Sequence, residues 1–265
     1  MTAVTVNKLI EMKKSGEKIT MLTCYDASFA NLLSSSGIDI LLVGDSLGMT
    51  IQGHDNTLPV TIDNMVYHTS CVKRGNVKSM IVSDLPFMSY PTLERVLCNA
   101  GKLMQAGANM IKLEGDEWLC DYIHHLNRNG IPVCAHIGLT PQSVNVTGGF
   151  KVQARNANSA LKLVDTAKKL EESGASIIVA EAIPSDLGKK LSDAVFIPVI
   201  GIGAGCDTDG QVLVLHDMLG ITAGGFKPKF VKNFMEENNK INEAITAYIN
   251  QVKTQEFPDK THSYS

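Results

Sequence analysis

Ionisable and hydroxyl side chains recur in this sequence directly after short apolar runs. In order they are Tyr25-Asp26, Gly44-Asp45-Ser46, Asp84, Lys112-x-Glu114, His136 and Glu181, with a glycine-rich stretch at Gly201-Ile202-Gly203. A charge that ends an apolar run is partly withdrawn from water, whereas ordinary surface charges fall on polar helix faces. If Asp45, Asp84 and Glu114 converge, they cannot all ionise without compensation. Either their pKa values rise or a cation sits among them. Oxygen ligands favour a hard ion such as Mg2+ over zinc. Taken singly, each of the three could equally be a helix N-cap. Lys112 lies two residues before Glu114, on the same face of a strand. It can balance the acids, hold an anionic substrate, or form a structural ion pair with Glu114. His136 can donate to a substrate carboxylate or oxyanion, or be a satisfied core histidine. Glu181 stands apart from the trio in sequence, and a carboxylate not spent on a metal is the natural general base.

These residues need a frame that brings distant positions to one place. Apolar or β-branched runs occur at Ile19–Thr23, Ile38–Val43, Ser79–Ser83, Met110–Leu113, Pro132–His136, Ile177–Ala180 and Pro198–Ile202, with a weaker one at Gln211–Leu215. Continuous apolar runs fit strands buried on both faces. Helical patterns alternate with them at Leu93–Gln105, Trp118–Asn129, Ser159–Ser173 and Pro184–Ala194, and Gly107, Gly130 and Gly174 stand where helix C-caps are expected. About eight strand–helix units in 265 residues predict an α/β fold, a (β/α)8 TIM barrel, since one barrel takes about 250 residues. Thr5–Lys14 reads as an extra N-terminal helix and Lys229–Val252 as a long closing helix. Lys253–Ser265 reads as a polar, extended tail. We expect one catalytic domain over residues 1–265. In a barrel the strand C-termini share one face, which is where Asp45, Asp84, Glu114, His136 and Glu181 would meet.

Composition narrows the function classes. Lysine and arginine total 24 against 27 acidic residues, a formal charge of −3 with no basic stripe, so nucleic acid and anionic membranes are not expected partners. No segment approaches the roughly 18 unbroken apolar residues of a membrane span. The N-terminus, from Met1-Thr2-Ala3-Val4, has no apolar signal region. The six cysteines form no C-x-x-C pair and read as reduced, which suits a cytoplasmic protein. Two short motifs are discounted. Gly44-Asp45-Ser46-Leu47 spells the nucleophile block of GDSL esterases, but the needed Asp-x-x-His occurs only at Asp121–His124, inside a predicted helix, and the block follows the second strand rather than the first. Gly201-Ile202-Gly203-Ala204-Gly205 fails the dinucleotide fingerprint because Cys206 stands where its third glycine belongs. A glycine-rich strand end more simply lets a ligand approach the backbone.

Longer blocks carry a family resemblance. They are Leu42-Val-Gly-Asp-Ser-Leu-Gly-Met49, Gln52-Gly-His-Asp55, Thr57-Leu-Pro-Val60, Asp84-Leu-Pro-Phe-Met88, Gly107-Ala-Asn-Met-Ile-Lys-Leu-Glu-Gly115, His136-Ile-Gly-Leu-Thr-Pro-Gln-Ser143, Pro198-Val-Ile-Gly-Ile-Gly-Ala-Gly205 and His216-Asp217. In this order, over nearly the whole chain, they resemble the ketopantoate hydroxymethyltransferase family. The resemblance implies a Mg2+ site at Asp45, Asp84 and Glu114, held directly or through water. It implies an α-keto acid site at Asp45, Ser46, Asp84 and Lys112 with His136 close by, and Glu181 as proton acceptor. It also implies 5,10-methylenetetrahydrofolate as co-substrate and a homo-oligomer, commonly a decamer. Nothing in the sequence marks the folate slot. A lyase of the phosphoenolpyruvate mutase and isocitrate lyase kind would need a reactive loop cysteine in a Lys-Lys-Cys-Gly-like setting, which none of the six has. A catalytically dead keto-acid-binding barrel would not need the intact metal-and-base set.

Overall fold

A computed structural model describes residues 3–222 and 227–265. Met1 and Thr2, where the reading of the N-terminus begins, lie outside the described residues. Eight strands close into one parallel barrel: β1 (Ile19–Thr23), β2 (Ile40–Val43), β3 (Met80–Asp84), β4 (Met110–Glu114), β5 (Val133–Gly138), β6 (Ile177–Glu181), β7 (Val199–Ile202) and β8 (Gly210–Leu213). Each pairs with the next, and β8 returns to β1. The strands are buried on both faces, which is why they read as unbroken apolar runs rather than alternating ones.

The helices follow in chain order: α1 (Val6–Ser15), α2 (Ala27–Ser36), α3 (Leu47–Thr50), α4 (Ile62–Gly75), α5 (Leu93–Ala106), α6 (Leu119–Arg128), α7 (Val144–Thr147), α8 (Ala157–Glu172), α9 (Ser185–Ala194), α10 (Leu215–Met218) and α11 (Ile241–Lys253). The predicted extra N-terminal helix is α1. Thr5 Oγ1 accepts from Lys8 N at its start, and Gly16 ends it at φ 75°. From α1 the Lys13 ammonium reaches Asp209 at 2.9 Å and donates to the Ser192 and Ile197 carbonyls. The expected helix-ending glycines all have positive φ: 114° at Gly107, 76° at Gly130 and 105° at Gly174.

Three expectations need correction. First, β7 and β8 are joined without a helix. The Cβ position of Gly188 on α9 lies 2.0 Å from the Ala204 carbonyl oxygen, so only glycine lets α9 press against this link. Second, the closing helix is α11 alone rather than Lys229–Val252. Asn233 Oδ1 accepts from Met235 N and Asn238 Nδ2 donates to the Phe234 carbonyl, so asparagine side chains compete with helical hydrogen bonds. Phe234 is instead buried against Tyr248 and Phe257. Third, the tail Lys253–Ser265, though polar in composition, is not extended. Phe257 is buried, the Asp259 carboxylate accepts from Thr261 N and His262 N, and the chain turns back. The Tyr264 carbonyl then accepts from both N and Oγ of Ser185.

Candidate active site

Strand register explains how distant residues become neighbours. Asp84 is paired with Lys112 across β3 and β4, and Glu114 with His136 across β4 and β5. Lys112 and Glu114 are two apart on β4, so both side chains enter the same end of the barrel. Asp84, Glu114 and Glu181 are the last residues of their strands. Asp45 sits in the turn after β2, and its backbone N–H donates to Asp84 Oδ2 at 3.1 Å. None of the three clustered acids caps a helix. The α3 N-cap position is Ser46, whose side chain makes no capping bond and instead meets the Tyr25 hydroxyl at 2.9 Å.

The seven residues singled out in the sequence, Asp45, Ser46, Asp84, Lys112, Glu114, His136 and Glu181, all line one cavity of about 510 Å3. Asp45, Asp84 and Glu114 each present an oxygen within 4.8 Å of the others, in a setting that is buried throughout. The Lys112 ammonium lies 3.0 Å from Asp84 Oδ2 and 3.4 Å from Glu114 Oε1. His136 Nδ1 is 3.1 Å from Glu114 Oε1 and Nε2 is 3.1 Å from Glu181 Oε2. The second approach is out of line for a hydrogen bond and is an electrostatic contact.

The electrostatics divide the acids. Burial, then the charges of Asp84 and Glu114, push the Asp45 carboxyl well above its ordinary range. Burial raises Asp84 too, against the pull of Lys112. Burial also opposes ionisation of Glu114, but Lys112 and His136 outweigh it and hold this group down at about 2. Burial and Lys112 would discharge His136, yet Glu114 and Glu181 raise it to about 9, so the imidazole carries a proton at neutral pH. One lysine does not satisfy the cluster, because Asp84 Oδ1 is buried without a hydrogen-bond partner. An orphaned carboxylate oxygen beside two other acids fits a hard divalent cation.

Sequence reasoning missed the bracket that holds this arrangement. Gln142 Nε2 donates to Asp45 Oδ2 at 2.8 Å and to the Leu85 carbonyl at 2.9 Å, while its backbone N–H donates to Glu114 Oε2 at 3.0 Å. The Tyr90 hydroxyl donates to Gln142 Oε1 at 2.5 Å. The usable signal was Thr140-Pro141-Gln142, a proline-started turn right after a strand end. The discounted motifs stay discounted. Asp121 and His124 lie exposed on α6, away from Ser46. The Gly201–Gly205 stretch, however, is approached by this chain and not by open space for a ligand. A Cβ on Gly203 would meet Phe230 at 2.8 Å and Tyr264 at 3.0 Å, and one on Gly205 would meet Ser185 at 2.6 Å.

A closed parallel barrel with buried acids and a lysine at its strand C-termini defines an α/β-barrel enzyme with a metal-competent acid site. Residues 3–260 match the ketopantoate hydroxymethyltransferase family. The chain is 55% identical over 265 residues to 3-methyl-2-oxobutanoate hydroxymethyltransferase of Shewanella sediminis, covering 100% of both chains. It is 57% identical over 265 residues to the enzyme of that name from Stutzerimonas stutzeri, again with full coverage of both. This chain belongs to the ketopantoate hydroxymethyltransferase family and is a transferase. Among solved structures, phosphonopyruvate hydrolase in complex with oxalate and Mg2+ aligns with a TM-score of 0.60 at 13% identity, covering 81% of each chain, a likeness of fold alone. No cysteine among the described residues lines the cavity.

Proposed function

We propose that this chain transfers a hydroxymethyl group from 5,10-methylenetetrahydrofolate to 3-methyl-2-oxobutanoate. The products are 2-dehydropantoate (ketopantoate) and tetrahydrofolate, the first committed step of pantothenate biosynthesis. The observation that carries the reading is the pairing of a cation-ready acid cluster with a separate carboxylate, Glu181, in the same cavity. Asp45, Asp84 and Glu114 would hold Mg2+, which when bound supplies Lewis-acid stabilisation for charge developing on the keto oxygen. Lys112, Ser46 and His136 fix the substrate carboxylate and offset negative charge as C3 loses its proton. Glu181 takes that proton. His136 Nε2 lies 3.1 Å from Glu181 Oε2, so the imidazole sits directly beside the base. The C3 carbanion then attacks the one-carbon unit of the folate, and water completes the hydroxymethyl group.

The apolar walls around these residues, such as Val179 and Ile202, keep bulk water from quenching the carbanion. The same reading takes residues 1–265 as a single catalytic domain of the cytoplasm that works as a homo-oligomer, a decamer. Exposed apolar side chains such as Phe196 and Val146 support further burial between subunits. No helix among the described residues is long and apolar enough to cross a membrane.

The testing experiment is deuterium exchange at C3 of 3-methyl-2-oxobutanoate, with Mg2+ and without folate. Wild-type protein should exchange, and Glu181→Gln should stop exchange while still binding the keto acid. Exchange by the Gln variant at the wild-type rate would remove Glu181 from the role of base.

A further inference from the structure

The cavity is larger than a small keto acid requires, and its two sides differ in chemistry. The acids and Lys112 crowd the side built from β2 to β5. The side built from β6 to β8, apart from Glu181 at the end of β6, is mainly apolar, with Val179, Ile202, Val212, Val214 and Phe230 along it. Two substrates that must meet at C3 then divide the space, the keto acid among the charges and the one-carbon donor along the apolar wall.

One carboxylate besides Glu181 interrupts that wall without belonging to the acid cluster. Asp217 follows β8 on α10 and lines the cavity, half-buried. Its Oδ1 accepts a hydrogen bond from the Thr222 hydroxyl, and its Oδ2 accepts none among the described residues. Burial raises its carboxyl above the ordinary aspartate range, against the pull of Thr222, His216 and Lys227, so the group sits at an energetic cost that a ligand could repay. Of the other lining carboxylates, Asp55 is exposed, and Asp45, Asp84, Glu114 and Glu181 are committed to the chemistry. Among the described residues Lys112 is the only lysine or arginine in the lining, and it lies with the acids on the opposite side.

A carboxylate fixed at one oxygen and, among the described residues, open at the other, set in an apolar wall, matches a flat ring bearing adjacent N–H donors on one edge. The 2-amino-4-oxo pyrimidine edge of a reduced pterin is such a group: its ring N–H and exocyclic amine point the same way. We propose that Asp217, oriented by Thr222, binds the pterin edge of the folate co-substrate, with the ring lying along the apolar wall formed by Val214 and Phe230. This rests on the folate reading given above. Asp217 here is a specificity residue: it selects and orients the donor and takes no part in proton transfer at C3. The glutamate tail of the folate, being anionic, then projects out of the mouth, since among the described residues the inner cations, Lys112 and His136, are paired with the acids.

The test compares two ligands by isothermal titration, with the keto acid and Mg2+ present: 5-formyltetrahydrofolate and its 2-desamino analogue. Wild-type protein should prefer the amino compound by about ten- to a hundredfold, the range for hydrogen bonds to a charged partner. Asp217→Asn should bind the amino compound more weakly and lose most of the preference, and Thr222→Val should lower it in part. Equal affinity of wild-type protein for the two compounds overturns the proposal, and that result needs no variant to fold. Full preference retained by Asp217→Asn overturns it as well. Wild-type protein that exchanges C3 yet binds neither compound would overturn the folate reading and this inference together, whereas binding without dependence on the amino group overturns the inference alone.

Discussion

Gln142, which was not singled out from the sequence, touches as many of the three clustered acids as Lys112 does. Its amide nitrogen holds Asp45, its backbone N–H holds Glu114, and its amide oxygen is fixed in turn by Tyr90. Two acids that a cation would share are thus positioned by one residue on a different loop. Outer partners of metal ligands typically change affinity by about 10- to 100-fold when removed. Gln142→Leu should therefore weaken Mg2+ binding within that range, measured by titration of the metal alone. Tyr90→Phe, which leaves Gln142 in place but frees its oxygen, should cost several-fold less. Equal metal affinity in wild type and the leucine variant would show that the acids hold their places unaided. All seven cavity-lining residues were legible because each lies at or beside the end of an apolar run, and a strand end is visible in sequence. Gln142 and Tyr90 were not, because they reach the site from loops through side-chain contacts that follow no period. Asp217 was visible only as part of a two-residue block, with nothing to say that it faces the cavity.

The elements were read well wherever burial alone decided them. Both faces of each strand are covered, so apolar runs located all eight to within a few residues. The failures fall where tertiary packing overrides pattern. The segment Phe230–Phe234 has helical apolar spacing, yet it serves as a wedge between the cavity and the Tyr248–Phe257 cluster. The tail is polar in composition, but Phe257 and the Tyr264 carbonyl anchor it. α11 does more than close the chain, for it ties the barrel at the seam where the last strand meets the first. The fully buried Tyr248 hydroxyl lies 2.9 Å from the Met21 carbonyl on β1 and 2.8 Å from the Gln211 carbonyl on β8. Tyr248→Phe keeps the ring packed and removes only that bridge. It should lower stability by about 1–3 kcal/mol, the cost of leaving buried polar groups less satisfied. In urea the midpoint should fall with the m-value unchanged. An unchanged midpoint would mean that strand pairing alone holds the seam.

The whole molecule carries its active site at a cost in stability, and that cost has a sign that can be measured. The barrel supplies a large apolar core, while at one end it buries three carboxylates with a single lysine among them. For Asp45 the folded state raises the pKa, through burial and then through Asp84 and Glu114. A carboxyl raised on folding penalises the native state once the unfolded chain would ionise. The penalty is absent below the ordinary aspartate range, grows as pH rises through it, and levels off only above the folded value. Metal-free Asp45→Asn, whose amide oxygen can still accept from Gln142, should therefore melt above metal-free wild type at pH 8. The gap should close as pH falls toward 4. A protein of this size shifts its melting point by roughly 2–4 °C per kcal/mol, so a benefit of about 1 kcal/mol is readable. Mg2+ should reverse the order: at a hundred times its dissociation constant a bound ion adds about 2.7 kcal/mol to wild type, and the variant should gain far less. Thermal melts of both proteins in EDTA and in Mg2+, across this pH range, check both halves. If the variant in EDTA melts below wild type at every pH, the acids are not strained without metal, and the case for a cation drawn from their burial fails.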